Sequence, residues 1–167
     1  KYLLIGDSIT QGYFCKYPSL TYATTLGSLM NVEILNHGIG GYRFDKRLIQ
    51  KIDYRPDTVL VALGINDVFS DDILSETIPD FFARLLDEYS DTNIVAVTPI
   101  ICLKEYAVNR MAEVKRQIYM QKGLSKNLYI IEGEKLVPHL LNFFADSLHP
   151  STIGMQYYAQ SLMTQIK

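Results

Sequence analysis

Ser8, Asp146 and His149 are the residue types of a nucleophile, the base that activates it and the carboxylate that orients the base. They lie near opposite ends of a 167-residue chain. A hydroxyl becomes a useful nucleophile when a neighbouring imidazole takes its proton, and the imidazole does this best when a carboxylate fixes its tautomer. Asp146 stands three residues before His149, so a single turn can join the pair, and Pro150 stiffens the exit. Gly41, preceded by Gly40, offers a backbone N–H that no Cβ shields, and Asn66 offers a side-chain amide. With the N–H of Ser8 itself, these donors could converge on an oxyanion during acyl transfer.

Each of these residues also has an ordinary explanation. A serine after Gly6-Asp7 in a strand-to-helix turn commonly caps the helix. A histidine before proline commonly sits in a surface loop, the paired glycines suit any turn, and Asn66 suits an Asx-turn. The weight lies in their joint placement, at three strand exits and at the entry to the last helix, because open α/β sheets carry their chemistry at the carboxyl ends of strands. Gly6 permits a sharp turn before Ser8. The segment is not a Gly-x-Ser-x-Gly elbow, since Thr10 occupies the last position. Of the other histidines, His37 lies inside the Asn36–Gly41 motif and could line the pocket, whereas His139 follows Pro138 without a carboxylate motif and reads as structural.

The elements that must position these groups alternate along the chain. Strands are expected over Tyr2 to Ile5, Val32 to Leu35, Thr58 to Leu63, Asn93 to Ile101 with a break at Pro99, and Leu128 to Ile131. Thr58 to Leu63 is an unbroken apolar run, as in a strand covered on both faces. Helices are expected over Thr21 to Met30 and over Val108 to Leu124, the latter ended by Gly123. Another opens at Ser75, its N-cap, with Pro79 in the first turn, and runs to Tyr89. The last is capped by Ser151 or Thr152. Tyr42 to Ile52 carries Leu48, Ile49 and Ile52 at helical spacing. Five β-α repeats with no linker or internal repeat predict one domain over residues 1–167. Its fold class is α/β, a five-stranded, mostly parallel, doubly wound sheet with helices on both faces, and the flavodoxin-like order 2-1-3-4-5 is the natural arrangement.

Composition narrows the partners. The chain is 48% hydrophobic, with 16 basic against 18 acidic residues and a net charge of −2, and no basic cluster points to nucleic acid. No apolar run reaches the roughly 18 residues of a membrane span. Cys15 and Cys102 define neither a disulfide framework nor a zinc site and read as two reduced thiols. Lys1 opens the chain almost directly on the first strand, as would a trimmed product, a mature secreted protein or a domain of a longer one. Either a cytoplasmic or a secreted location fits, and oligomeric state is not written in the sequence.

Taken together, Gly6-Asp7-Ser8-Ile9-Thr10, Asn36 through Gly41, Gly64-Ile65-Asn66-Asp67 and Asp146-Ser147-Leu148-His149 resemble, in order, the four blocks of the SGNH hydrolases, or GDSL esterase/lipase family. Ile9 replaces the leucine of the family nickname. The resemblance implies a three-layer α/β/α sandwich and ester hydrolysis through an acyl-serine, with no metal or other cofactor. It makes Ser8 the nucleophile, His149 the general base and acid, Asp146 its orienting partner, and Ser8, Gly41 and Asn66 the oxyanion hole. There are no long insertions to build a lid or a deep acyl tunnel.

The expected substrate is therefore a small acyl group, acetyl above all, on a polar alcohol such as a carbohydrate. Lysophospholipase or acyl thioesterase activity is the enzymatic alternative. A carbohydrate-binding module on the same fold is the non-enzymatic one. A flavodoxin-like phosphate or flavin binder would leave Asp146 and His149 unexplained. Two stretches should border the pocket: Gln11 to Ser19, with Tyr13, Phe14 and Tyr17, and Ile100 to Asn109, with Cys102, Leu103 and Tyr106. Their rings could stack on a sugar, although the core is the ordinary place for any one of them.

Overall fold

Five short aliphatic runs form one parallel sheet in the computed structural model, which describes residues 1–103 and 107–166. The strands are β1 (Tyr2–Gly6), β2 (Ile34–Gly38), β3 (Thr58–Ala62), β4 (Asn93–Val97) and β5 (Leu128–Ile131). They lie in the expected order β2-β1-β3-β4-β5, and every neighbouring pair is parallel. Nearly every residue of central β1, β3 and β4 is buried, which explains their unbroken apolar sequences. The edge strands β2 and β5 are more exposed.

The helices are α1 (Ser8–Gln11), α2 (Tyr22–Met30), α3 (Leu74–Glu88), α4 (Val108–Met120) and α5 (Thr152–Gln165). Right-handed crossovers put the connection after β1 on one face of the sheet and those after β3 and β4 on the other. Accordingly α2 packs on α5 and α3 on α4, with the sheet as the middle layer. The buried rings of Tyr22 and Tyr158 stack at 4.4 Å between α2 and α5. Phe44, Phe81 and Phe82 pack together under α3. Thr21 and Ser151 cap α2 and α5 through side-chain oxygens that accept the N–H groups of Thr24 and Gly154. Among the described residues, no helix is long and apolar enough to cross a membrane.

β4 ends at Val97, short of the expected Ile101, and α4 ends at Met120, short of the expected Leu124 because residues 121–123 form a turn. Three further departures lie elsewhere. β2 starts at Ile34 rather than Val32, because Asn31 takes a left-handed conformation and the Val32 N–H returns to the Gly27 carbonyl, ending α2. Asn36 and His37 therefore lie within the strand. α3 begins at Leu74, before Ser75, with no side-chain cap, and Pro79 falls in its second turn. Taking Leu74 into the helix sets it on the buried stripe of Ile78, Phe81, Phe82 and Leu85, and that burial outweighs the cap. Exposed Ser75 leaves to water the carbonyl that Pro79 cannot bond.

The third departure is larger. Residues 42–52 form no α-helix, only a single 3-10 turn over Lys46–Leu48. Asp45 bonds the Arg47 N–H at 2.8 Å, and Phe44 is drawn into the core, so local bonding and packing override the helical spacing of Leu48, Ile49 and Ile52. Part of the sheet face over β1 and β2 is left as a cavity of about 620 Å³, walled by Leu3, Ile5, His37, Tyr42 and Leu48 among others.

Candidate active site

Ser8 is placed by the turn that joins β1 to α1. Asp7 is the N-cap of α1, its Oδ1 accepting the Ile9 N–H at 2.9 Å, so the capping role belongs to Asp7 and Ser8 becomes the first helical residue. Backbone N–H groups in a first helical turn have no acceptor within the helix, which leaves that of Ser8 to point outward. Gly6 serves by making room: a Cβ there would overlap the Thr10 side chain, which hydrogen-bonds the Tyr22 hydroxyl at 2.8 Å. Burial pushes the Asp7 carboxyl up to about 7 despite the Ile9 bond.

His149 meets Ser8 across 141 residues of sequence, its Nε2 lying 2.9 Å from the Ser8 Oγ. The other ring nitrogen, Nδ1, is 2.9 Å from Asp146 Oδ2. A carboxylate only accepts, so Nδ1 carries the proton and Nε2 is left to accept from the serine hydroxyl. Asp146 Oδ1 also accepts the N–H groups of Leu148 at 2.7 Å and His149 at 2.6 Å, closing the turn that fixes the ring. Burial raises the Asp146 carboxyl, but the bonds from the backbone and ring of His149 and from Leu148 outweigh it and hold the group below its ordinary range. Two contacts anchor the turn: Ala145 N–H donates to the His149 carbonyl at 2.9 Å, and Leu103 N–H, just past β4, donates to the Ser147 carbonyl at 3.0 Å.

The loop after β2 runs beside Ser8. The Gly40 N–H donates to Gln11 Oε1 at 2.9 Å, and a Cβ on Gly40 would lie 3.8 Å from that of Ser8. Gly41 adopts φ +81°, a conformation that a side chain would strain. From the exit of β3, Asn66 Nδ2 donates to the Tyr42 carbonyl at 2.9 Å, using one of its two amide hydrogens. Asp67 reinforces the junction, its Oδ1 accepting the Phe44 N–H at 3.1 Å. Its Oδ2 is buried with no hydrogen-bond partner among the described residues, and burial pushes this carboxyl up to about 6. These contacts tie the loop that carries Gly40 and Gly41 to the exit of β1 through Gln11 and to the exit of β3 through Asn66 and Asp67.

Other sequence candidates fall elsewhere. His37 is exposed on β2 and walls the 620 Å³ cavity, whose lining includes neither Ser8 nor His149, so it is outside the site. The cause is register: His37 pairs with Ile5, three residues short of Ser8. His139 is exposed, with Nε2 3.3 Å from the Glu134 carbonyl. Cys15 and Cys102 are both free thiols. Tyr13, Phe14 and Tyr17 are about half exposed and do not join the core. Tyr106 lies outside the described residues. Two contributors escaped the sequence reading, Gln11 and Asp67. Asp67 stood in the Gly64–Asp67 motif, but nothing in the chain told that its partner was Phe44.

The model of the GDSL-like lipase/acylhydrolase family matches residues 4–157. None of the curated proteins matches the chain in sequence. Among solved structures, a protein assigned to the G-D-S-L lipolytic family from Desulfitobacterium hafniense DCB-2 superimposes with a TM-score of 0.82 at 16% identity, over 99% of this chain and 98% of that one. A protein assigned as a GDSL-like lipase from Bacteroides ovatus ATCC 8483 gives 0.83 at 21% identity, over 99% of this chain but 54% of its own. The native aryl esterase of M. smegmatis gives 0.77 at 13% identity, over 98% and 96%. At these identities the superpositions speak for the fold.

Proposed function

The chain belongs to the GDSL-like lipase/acylhydrolase family of ester hydrolases, and from that premise we propose that it hydrolyses short acyl esters, acetyl above all, on polar alcohols such as carbohydrates. The carrying observation is the relay from Ser8 Oγ through His149 Nε2 and Nδ1 to Asp146 Oδ2, each step at 2.9 Å. In the first half-reaction His149 Nε2 takes the hydroxyl proton as Oγ bonds the ester carbon. The carbonyl oxygen, now anionic, is held by the N–H groups of Ser8 and Gly41 and the second Asn66 amide hydrogen. Collapse breaks the bond to the alcohol oxygen, which leaves with the proton from Nε2. Water then gives a proton to Nε2 and its oxygen to the acyl carbon, and the acid departs as Ser8 regains its hydrogen.

The surroundings of Gly41 support a small acyl group on a polar alcohol. Gly41 lies in the wall of a cavity of about 390 Å³ whose other walls include the charged side chains of Arg43, Asp45, Lys46, Asp72 and Asp80. A long chain would need an apolar cavity there to bury its methylenes. The test is a series of p-nitrophenyl esters, from acetate through octanoate to palmitate. Highest kcat/KM on acetate is the expected result, and faster turnover of the long chains would refute the short-acyl assignment.

A further inference from the structure

Tyr13 and Phe14 stand exposed beside the relay, and the core reading of these rings fails. They are 54% and 53% exposed, yet their rings meet at 4.6 Å. Both also contact the imidazole of His149, at 5.1 Å from Tyr13 and 5.6 Å from Phe14. Phe14 holds φ +63°, a left-handed conformation that costs a non-glycine residue energy and that clusters at functional sites. The turn is imposed from both sides, by Tyr13 N–H donating to the Ser8 carbonyl at 2.9 Å and Cys15 N–H to the Gly12 carbonyl at 3.0 Å. Nothing in the core needs this strain, because neither ring enters it.

Chemistry says which half of an ester lies there. The imidazole must hand its proton to the departing alcohol oxygen, so that oxygen sits within hydrogen-bond reach of Nε2 and its substituent lies beside the ring. The carbonyl oxygen points the other way, toward Gly41 and Asn66. We propose that Tyr13 and Phe14 form the leaving-group subsite, and that it selects alcohols carrying a ring with a flat apolar face, as a pyranose or an arene has. This rests on the acyl-serine reading above and specifies the alcohol that reading leaves open. Edge and face contacts of this kind hold a planar group in a way that a flexible chain cannot match.

The test uses esters that share one acyl group. Ethyl acetate, benzyl acetate and a methyl mono-O-acetyl pyranoside all give the same acetyl-Ser8, so differences in kcat/KM report the alcohol. Wild type should prefer the ring-bearing esters over ethyl acetate. In Tyr13→Ala that preference should fall about tenfold, the size of one lost ring contact, with the change mainly in KM. Phe14→Gly, which suits the left-handed backbone, should lower it similarly and guards against a folding artefact in the first variant. Benzyl acetate and the pyranoside distinguish an aryl from a sugar alcohol. An equal loss on all three esters, carried by kcat, would mean that the rings merely steady His149, and would overturn the subsite. So would an unchanged preference. If wild type forms no acetyl-Ser8, seen as a 42-dalton mass gain of roughly one acetyl group during turnover, the underlying acyl-serine reading fails first.

Discussion

Replacing Asn66 with alanine tests the oxyanion assignment most directly, because the structure separates two effects of that side chain. One amide hydrogen is spent on the Tyr42 carbonyl, which tethers the loop carrying Gly41. The other is the hydrogen proposed for the oxyanion. Loss of a single preorganised donor costs about 2.7–4 kcal/mol of transition-state stabilisation, or roughly 100- to 1,000-fold in kcat. Loss of the tether is a smaller term. Tyr42 is only half-buried, so water can reach its carbonyl, and Phe44 N–H remains on Asp67 two residues further along. The tether should thus cost about 1 kcal/mol of stability. Steady-state kinetics on p-nitrophenyl acetate should show kcat down by about two to three orders of magnitude with KM little changed, as for an interaction made only in the transition state. Urea unfolding should shift by no more than about 1 kcal/mol. Asn66→Asp should be worse than alanine, since its carboxylate would repel both the Tyr42 carbonyl and the oxyanion. A kcat for Asn66→Ala within tenfold of wild type, or an aspartate variant as active as the parent, would refute the donor role.

Three further outcomes follow from the same geometry. Ser8→Ala should abolish labelling by a fluorophosphonate and acyl-enzyme formation while unfolding at a similar urea concentration, and retained labelling would remove Ser8 as nucleophile. Asp146→Asn should keep Oδ1 on the Leu148 and His149 N–H groups but turn an NH₂ toward Nδ1, forcing the proton onto Nε2; kcat should drop by about 10⁴ with KM nearly constant, and a loss under tenfold would sink the tautomer argument. Asp67, raised from 3.8 to about 6 by burial, keeps its proton in the folded chain after the unfolded chain has lost its own, so its contribution to stability declines as pH rises from about 4 to 6. The full effect is roughly 3 kcal/mol, and Asp67→Asn should flatten that part of the pH profile in urea titrations; identical slopes for the two proteins would contradict it.

The sheet was legible because its central strands are covered on both faces, so YLLIG, TVLVA and NIVAV read as strands without help from partners. Alternation with helices then left few topologies open, and the right-handed crossover rule left fewer. The meeting of Ser8, His149 and Asp146 was legible for a related reason: each sits in a turn beside a regular element, and glycine and aspartate mark such turns. Misread segments were those decided by distant partners. Helical spacing over 42–52 is real, but Phe44 is held by Asp67 from the exit of β3, and that partner cannot be found from spacing. The start of α3 was misplaced because Ser75 offers a local cap while Leu74 offers burial, and only the fold tells which wins.

The same contrast explains how so small a set of residues can form one site. The segments that carry it are held to one another by bonds to the backbone: Gln11 Oε1 accepts the Gly40 N–H, Asn66 Nδ2 donates to the Tyr42 carbonyl, Asp67 Oδ1 accepts the Phe44 N–H, and the Leu103 N–H donates to the Ser147 carbonyl. Together with the Ser8–His149 bond, they join the exits of β1, β2, β3 and β4 and the turn before α5 into a single rim. Side chains then need little freedom of their own, which is the condition for donors to be in place before charge develops. It follows that the loop carrying Gly41 is fixed from two directions, by Gln11 at the α1 side and by Asn66 and Asp67 at the β3 side. Loss of either fixing alone should cost less than loss of both. In a double-mutant cycle of Gln11→Ala with Asp67→Ala, which removes the acceptor of the Phe44 N–H, the combined loss in kcat should therefore exceed the sum of the single losses, expressed as free energies, by about 0.5–3 kcal/mol. Strict additivity would mean that the two anchors do not share the loop.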